Sequence, residues 1–481
     1  MSDSMAPTVL PNAVAKAPVA PRLLEVRLRL VDGVRACHDR PMSSSAQRLI
    51  ADAVITCAPR VEVHRPGFID IDDDGRVEGS GPLAVGPPTR SPETRMSGLL
   101  MPGLVNAHAH GPMTLLRGVG DGLSLERWLT EAIWPREAKL GPGDVRAGML
   151  LASAEMLLAG VTASCEMYFA DDELLDAVDA TGGRVMCTPG VVGAVHLANL
   201  YEPGGRFAEI SALHAARNEP EGRLRVGVAP HSAYDLPMPV VDDLASLARE
   251  LECPLHIHIA ETSDEGRDVE AEHGKRTVEV LAERGVLDGH VLAAHGVWLS
   301  DAEVELFAWH GTHVAHCPKS NMKLGSGVAR LHDLTTAGVN VGLGTDGVAS
   351  NDDLDLWQEL QLAPLLARGT SGDPTRISAR QALLMATRCG AEAIGMSDTG
   401  SLAPGSWADI IRIDLDNAAF TPIITDDDVV DRLVFAGGAR YVTDTWVAGE
   451  RVVEAGELLT VDTEAARADV QARAERLASD L

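Results

Sequence analysis

The stretch Gly103-Leu104-Val105-Asn106-Ala107-His108-Ala109-His110 joins a short apolar run to two histidines that are separated by one residue. The run is too short for a helix, and in an extended strand the side chains of residues i and i+2 point to the same side. His108 and His110 can therefore reach one metal ion at the end of a strand. A polar strand end that faces water is the alternative for the pair taken alone.

After His110, short β-branched runs alternate with longer amphipathic segments, which is the pattern of repeated βα units around a parallel sheet. The predicted strands are Gly103 to His108, Val161 to Tyr168, Arg184 to Val191, Leu224 to His231, Leu255 to Glu261, Val291 to Trp298, His313 to Pro318 and Val339 to Asp346. Eight parallel strands with intervening helices predict an α/β fold of the (β/α)8 type, a TIM barrel.

The barrel is predicted over residues 99–404, and segments with β character and turns flank it at residues 49–98 and 405–460. We expect the two flanks to combine into one small β-sandwich domain. Residues 461–481 have the spacing of a C-terminal amphipathic helix. Residues 1–48 are expected to be a flexible or additional N-terminal segment, in which Arg22 to Arg40 alternate apolar and basic side chains as an extra edge strand does.

Charge and composition restrict the partners of the chain. Its 481 residues carry 70 Asp and Glu against 41 Lys and Arg, and the formal charge of −29 argues against nucleic acid as a partner. No apolar stretch approaches the roughly 20 residues that a membrane span needs. Seven cysteines without CxxC spacing fit reduced thiols. We expect a cytoplasmic protein with a small-molecule substrate and no membrane partner, and these features are compatible with a homo-oligomer.

The predicted strand ends carry side chains suited to metal chemistry. Barrel enzymes place their active residues at the carboxyl ends of the strands. Here those ends offer His108 and His110, His231, His258 and Glu261, His295, and Asp346. Three imidazoles and one carboxylate are enough for one divalent ion with a position left for water, and we expect these ligands to be His108, His110, His258 and Asp346. Zn²⁺ is the expected ion, and Fe²⁺ or Mn²⁺ suits the same ligands.

Roles follow from position. An ion lowers the pKa of its water towards about 7 and so makes hydroxide available. Glu261, three residues beyond His258, is expected to deliver a proton without binding the ion, and His295 to orient the attacking hydroxide. Asp346 can also accept the proton of the water and pass it to a departing amine. His231 either caps its strand or contacts the substrate.

Neighbouring histidines leave alternatives for two of these residues. His256 lies on the same strand as His258, but the spacing to Glu261 favours His258. His316 is the alternative to His295, which ends a cleaner apolar run. Strand four, Val226 to Ser232, contains no lysine that could be modified to bridge two ions. This favours one ion, and with it amine displacement from a heterocycle over hydrolysis of a ring amide.

Several motifs together resemble the amidohydrolase superfamily and, within it, the 5-methylthioadenosine/S-adenosylhomocysteine deaminases. The superfamily resemblance lies in Pro102 to His110, His258-Ile259-Ala260-Glu261, Ala294-His295-Gly296 and Gly344-Thr345-Asp346-Gly347. The narrower one lies in Gly111 to Gly118, Glu166 to Phe169, His316 to Leu324 and Gly347 to Asn351.

The resemblance implies hydrolytic deamination at C6 of an adenine nucleoside, with Glu261 as proton donor to ring N1 and Asp346 and His295 assisting. It also implies substrate contacts for Glu137 with the ribose hydroxyls, for His231, and for Arg206 with the 5′ tail. Thr188-Pro189-Gly190 stands where the family has Thr-Arg-Gly, so one tail-binding arginine is absent. Adenosine, 5′-deoxyadenosine and 5′-methylthioadenosine are therefore expected substrates alongside S-adenosylhomocysteine.

Two rival functions stay open at this point. One has the same metal site but a different heterocyclic substrate, as in an aminohydrolase of guanine, pterin or triazine type. The other is a catalytically silent barrel that acts as a scaffold, since fold alone does not fix function. Scaffolds of that kind are expected to lose metal ligands, whereas this chain has the whole set.

Overall fold

A computed structural model describes residues 46–479, without the side chain of Asp268. The expected extra edge strand at Arg22 to Arg40 lies outside these residues, as does nearly all of the N-terminal segment. The strands of the described part are β1 (Gln47–Ile55), β2 (Val63–His64), β3 (Gly67–Ile71), β4 (Val77–Pro82), β5 (Glu93–Pro102), β6 (Leu104–Ala109), β7 (Val161–Tyr168), β8 (Arg184–Val191), β9 (Leu224–Val226), β10 (Ala229–Pro230), β11 (Leu255–Ile259), β12 (Val291–His295), β13 (His313–His316), β14 (Val341–Leu343), β15 (Ile410–Ile413), β16 (Val442–Val447), β17 (Glu450–Glu454) and β18 (Glu457–Leu458).

Two parallel sheets occupy the middle of the chain. One has the order β10-β8-β7-β6 with β9 also on β8, and the other has the order β11-β12-β13-β14. Isolated parallel bridges join them on both sides: Ala109 pairs with Asp346, while Val228 and Ser232 pair with Leu255 and His258. Every residue of β7 and β8 is buried, as in parallel sheets that are covered on both faces. The middle of the chain is an α/β fold with the parallel strand order that a barrel requires.

Helices alternate with these strands along the chain. The amphipathic segment from Val269 to Arg284 contains parts of two helices, Arg267–His273 and Thr277–Glu283, because Gly274 adopts a left-handed φ of 67° and ends the first. Predicted strand four is likewise interrupted between β9 and β10. The longer helices of this region are Asp144–Leu158, Asp171–Thr181, Arg206–Arg217, Met238–Glu250, Arg267–His273, Thr277–Glu283, Asp301–His310, Pro318–Lys323, Leu331–Thr336, Leu356–Ser371, Ala379–Met385 and Arg388–Ala393.

The two flanks meet in one nine-stranded sheet with the order β18-β17-β16-β15-β5-β1-β3-β4, in which β2 also pairs with β1. Strand β5 joins them, since it runs parallel to β1 and antiparallel to β15. A buried ion pair ties this sheet to β8: Nε of Arg184 lies 2.9 Å from Oδ2 of Asp409, and both side chains are fully buried.

Two helices follow in the C-terminal part, Asp426–Ala436 and Thr463–Ser479. Arg473 on the last helix donates a 2.7 Å hydrogen bond to Asp144, the first residue of the helix Asp144–Leu158. Among the helices of residues 46–479, none has the combined length and apolar character that crossing a membrane requires.

Candidate metal centre and active site

The carboxyl ends of β6, β11 and β12 and the turn after β14 bring the predicted ligands together. The donor atoms of His108, His110 and Asp346 all lie within 4.8 Å of one another, as do those of His108, His258 and His295. Oδ1 of Asp346 lies 3.2 Å from Nε2 of His110 and 3.4 Å from Nε2 of His108. All five residues predicted for the metal or the attacking water therefore share one centre.

Each of the four histidines is oriented by a hydrogen bond at Nδ1, which turns Nε2 towards the centre. His110 bonds to the carbonyl oxygen of Met167 at 2.6 Å, and His258 bonds to that of His231 at 2.8 Å. Partners of this kind fix the tautomer and the ring plane of a metal-binding histidine. The remaining two pairs are His295 Nδ1 with Asn321 Oδ1 and His108 Nδ1 with His256 Nε2, both at 2.9 Å.

Backbone geometry places Asp346 directly beside β6. Its amide donates a 2.9 Å hydrogen bond to the carbonyl oxygen of His108. A Cβ on Gly344 would come within 2.9 Å of Cβ and the carbonyl oxygen of His108, so only glycine permits this approach. His295 and Asp346 themselves have positive φ values of 74° and 60°. Such backbone strain is concentrated at functional sites, where the fold holds a side chain in one direction.

Asp346 is held as a carboxylate. Oδ2 accepts hydrogen bonds from the hydroxyls of Ser320 and Ser350 at 2.6 and 3.0 Å, and Oδ1 accepts one from the amide of Gly347 at 2.7 Å. Burial by itself raises the pKa of this carboxyl, but the imidazoles of His108 and His110 outweigh burial and hold it well below its usual range. An anionic oxygen thus faces the imidazole nitrogens.

The donor set fits a divalent cation. Nε2 of His108 is buried and has no hydrogen-bond partner, which is costly for a polar atom unless something binds it. The surrounding donors are further imidazole nitrogens and a carboxylate oxygen, which are the ligand types of Zn²⁺ and of Fe²⁺ or Mn²⁺ sites.

Glu261 follows β11 at the edge of this centre. Its backbone amide and that of Ala260 donate hydrogen bonds to Glu265, and Oε2 of Glu261 lies 3.7 Å from Nε2 of His295. Burial raises the pKa of Glu261 to about 8, and the negative charge of Asp346 adds to this shift. The carboxyl group is therefore protonated at neutral pH and can donate a proton into the cleft.

A mainly apolar cleft opens from the centre. Including the part that is open to solvent, it measures about 640 Å³. His231 and Glu137 both line it, and the Glu137 carboxylate accepts a 2.8 Å hydrogen bond from the hydroxyl of Tyr168. Burial raises the pKa of Glu137. The other lining residues include Met113, Leu125, Trp128, Leu129, Ile133, Trp134, Met167, Phe169, Gly190, Val192, Tyr234 and Leu324.

The structure does not bring Arg206 to this cleft. Its side chain is buried, and Nη1 lies 2.6 Å from Oδ2 of Asp171. Of the two histidine alternatives, His295 lines the cleft, whereas His316 is buried at the end of β13 outside the two ligand groups.

Several residues that contact the centre or support it had no predicted role. Ser320, Asn321 and Ser350 lie in segments that carry the family resemblance. Their place in these segments was the indication in the sequence that they could belong to the site. Thr188 lies in the Thr188-Pro189-Gly190 stretch but received no role, and Glu265 lies outside the quoted motifs; the contacts of both residues depend on the fold. His256, considered only as an alternative to His258, is the hydrogen-bond partner of His108.

Known proteins are similar to this chain over most of its length. A protein of Pelotomaculum thermopropionicum named 5-methylthioadenosine/S-adenosylhomocysteine deaminase is 36% identical over 439 residues, which cover 89% of this chain and 99% of the relative. A protein of the same name from Moorella thermoacetica is 39% identical and covers 85% of this chain and 94% of the relative.

A solved structure has the same fold. The crystal structure of an adenosine deaminase from Xanthomonas campestris with bound zinc superimposes with a TM-score of 0.84 at 34% identity, over 90% of this chain and 98% of the other. Residues 99–452 match the amidohydrolase family as a whole. This match covers more than half of the chain, and the protein therefore belongs to the amidohydrolase family.

Proposed function

We propose that the protein hydrolytically deaminates an adenine nucleoside at C6 and releases ammonia and the inosine-type product. The observation that carries this proposal is the convergence of His108, His110, His258 and Asp346 with Glu261 at one end of an apolar cleft. The names of the relatives and the adenosine deaminase likeness support it.

One divalent ion, Zn²⁺ by preference, belongs to the proposal, with His108, His110, His258 and Asp346 as its ligands. When bound, it supplies Lewis-acid activation of water near neutral pH. The absence of lysine from β9 and β10 supports a single ion. The zinc in the Xanthomonas campestris protein supports the choice of metal.

The residues of the chain supply the proton transfers. Glu261 donates its proton to N1 of the ring as water adds to C6, and the negative charge that would develop on the ring is thereby avoided. Asp346 accepts a proton from the water and passes it to the amino group, and His295 orients the water. The C6–N bond then breaks and ammonia leaves, while the hydroxyl on C6 returns its proton to Glu261 and becomes the carbonyl of the product. The apolar walls exclude other water molecules from the ring.

Glu137 and His231 are proposed to hold the sugar. Both line the cleft, and the hydroxyl of Tyr168 fixes the carboxylate of Glu137. A carboxylate can accept hydrogen bonds from both hydroxyls of a ribose, so Glu137 favours a nucleoside over a free base. Arg206 has no place in this proposal, because Asp171 already pairs with its guanidinium.

The architecture is part of the same proposal. A closed (β/α)8 barrel is supported by the bridges that join the two parallel sheets on both sides. One composite β domain of the two chain ends, which we propose to be a sandwich, is supported by β5, because this strand pairs with β1 of one flank and β15 of the other. A reducing cytoplasm is supported by the six cysteines within residues 46–479, all of which are free thiols.

A substrate panel tests the function. Purified protein loaded with zinc is incubated with adenosine, 5′-deoxyadenosine, 5′-methylthioadenosine, S-adenosylhomocysteine and guanine, and released ammonia is measured. We expect turnover of at least one adenine nucleoside. Turnover of guanine alone would favour the rival ring chemistry, and no turnover together with no bound metal would favour the scaffold. Gel filtration of the same sample reports any homo-oligomer.

A further inference from the structure

The charged side chains that line the cleft are all acids or histidines. The acids are Glu137, Glu261 and Asp346, and none of the described lining residues is lysine or arginine. Most of the remaining wall is apolar or aromatic. A ligand group with a negative charge on the walls away from the metal centre would therefore meet carboxylates and hydrocarbon, and no lysine or arginine would pair with it.

Arg206 is the arginine directly behind this wall, and its donors are already used. The guanidinium pairs with both carboxylate oxygens of Asp171, at 2.6 and 3.3 Å. It also donates hydrogen bonds of 3.1 and 3.2 Å to the carbonyl oxygen of Gly190, a residue that lines the cleft. Only 6% of the side chain is exposed. Arg206 thus stabilises the wall of the cleft, and its hydrogen-bond donors are not available to a ligand in the cleft.

We propose that the 5′ substituent of the substrate is small and uncharged, such as a hydrogen atom, a hydroxyl or a thioether, and that an amino-acid tail is disfavoured. This inference rests on the proposed function and narrows it. A buried carboxylate without a partner loses its hydration without compensation, which is among the larger penalties in recognition. An amino-acid tail carries such a carboxylate, whereas a methylthio group matches the apolar wall.

Two substrates that both carry a thioether at the 5′ position test the proposal directly. We expect kcat/KM for 5′-methylthioadenosine to exceed that for S-adenosylhomocysteine by at least about 100-fold, which is typical of a site that leaves a polar group unpaired. Equal values would overturn the proposal. If neither compound nor adenosine reacts, the proposed function fails instead, so the two failures are distinguishable.

A designed cation provides the second arm. Val192 lines the cleft just beyond β8, and Val192→Arg would present a guanidinium there. We expect this variant to shift the ratio of kcat/KM at least 10-fold towards S-adenosylhomocysteine. Val192→Met is the matched control, since it adds length without charge, and its ratio is expected to stay near that of the wild type. An equal shift in both variants would contradict the electrostatic argument.

A second, independent observation concerns a buried hydrogen-bond chain behind His108. Nδ1 of His108 meets Nε2 of His256 at 2.9 Å, and Nδ1 of His256 meets Oγ1 of Thr188 at 2.9 Å. The Thr188 hydroxyl donates to the carbonyl oxygen of Glu166 at 3.0 Å, and Sγ of Cys165 lies 3.4 Å from the same nitrogen of His256. His108, His256 and Thr188 are all fully buried.

The donor and the acceptor in each of these hydrogen bonds follow from the number of protons that each group carries. A hydroxyl has one proton, and Thr188 donates it to Glu166, so Thr188 accepts a proton from Nδ1 of His256. A neutral imidazole carries one N–H, so Nε2 of His256 is an acceptor and Nδ1 of His108 is the donor. Nε2 of His108 is then a bare lone pair, and it is the buried atom without a partner at the centre.

We infer that Thr188 and His256 are positioning residues, which hold His108 in the tautomer that presents Nε2 to a metal ion. This inference rests on the proposed metal site. Outer hydrogen bonds of this kind are worth about 10- to 100-fold in metal affinity. The reversed direction would put a hydrogen on Nε2 and block it as a ligand.

Zinc affinity tests the inference without any assay of turnover. Competition with a chromophoric chelator is measured for wild type, Thr188→Val, Thr188→Ser and Thr162→Val. Thr162→Val is the matched control, because Thr162 is a buried threonine of β7 that does not belong to this series of hydrogen bonds. We expect Thr188→Val to bind zinc about 10-fold more weakly, Thr188→Ser to recover the affinity, and Thr162→Val to keep it.

Three results would count against the inference, and each has a different meaning. Wild-type affinity in Thr188→Val would overturn it. An equal loss in Thr162→Val, or no recovery in Thr188→Ser, would assign the loss to packing. If the wild type binds no divalent ion, the proposed metal site fails and the inference fails with it. Melting temperatures of the metal-free proteins check that all variants fold.

Discussion

The backbone amide of Glu261 donates a 2.6 Å hydrogen bond to Oε2 of Glu265, while Oε1 of Glu265 accepts a 2.8 Å hydrogen bond from the amide of Ala260. Ala260 has a left-handed φ of 55°, so the chain turns sharply between the end of β11 and Glu261. Glu265 is buried and stabilises this turn. The proton donor of the proposed reaction is therefore held by a second glutamate.

Glu265→Gln is expected to lower kcat about 10-fold and to leave zinc content and KM near the wild-type values. The amide side chain keeps only one acceptor oxygen for two backbone donors, so the turn loosens and Glu261 loses its position. Steady-state kinetics and metal analysis on the same preparation measure this. Glu270→Gln, an exposed change on the next helix, is the control. Loss of zinc in Glu265→Gln would contradict a role that is limited to Glu261.

Glu261→Gln is expected to retain zinc and to lose turnover by about 100-fold or more, since it removes the proposed proton donor and preserves the shape of the side chain. Metal content and ammonia release are the two measurements. A variant that loses zinc would show that Glu261 is a ligand or a structural residue, and a fully active variant would remove it from the mechanism.

The sequence predicted which side chains lie close together because the information for that prediction is local. His108 and His110 share a side of one strand, and the same strand-end argument led to His258, His295 and Asp346. A parallel barrel brings the carboxyl ends of all its strands to one rim. Residues at these ends can therefore be assigned to one site even when the distances between the strands are unknown.

Contacts between residues that are distant in sequence could not be predicted in this way. Asp171 pairs with Arg206 from 35 residues away, and Thr188 meets His256 from 68 residues away. Nothing in the local pattern shows such partners. The family resemblance therefore suggested a substrate contact for Arg206, whose charge the fold already neutralises, and it gave no role to Thr188.

Arg206→Ala is expected to destabilise the protein by about 3–5 kcal/mol, because it leaves the carboxylate of Asp171 buried without its partner. Arg217→Ala, at the other end of the same helix, breaks pairs with two exposed aspartates, Asp172 and Asp176, and is expected to cost about 1 kcal/mol or less. Chemical denaturation of both variants gives the comparison.

The same Arg206→Ala variant tests the original tail-binding role. If Arg206 only supports the wall, kcat/KM falls by a similar factor for adenosine and for S-adenosylhomocysteine in the fraction that remains folded. A selective loss with S-adenosylhomocysteine would show that Arg206 contacts the tail after all.

Glu359 predicts a pH dependence of stability. Burial raises its pKa from 4.5 to about 8, against the hydrogen bonds from Lys319 and Asn351. Between pH 4.5 and about 8 the unfolded chain has lost this proton and the folded protein keeps it, so the free energy of unfolding falls as the pH rises through that window. Glu359→Gln cannot ionise and lacks this contribution.

Melting temperatures of wild type and Glu359→Gln at pH 5, 6, 7 and 8 measure the difference. We expect the wild type to lose more stability than the variant across this series, because the other titrating groups are common to both proteins. At pH 5 the wild type is expected to be the more stable, since the amide forfeits one of the two hydrogen bonds, at a cost of about 1 kcal/mol. Parallel curves would mean that Glu359 is already ionised in the folded protein at pH 5.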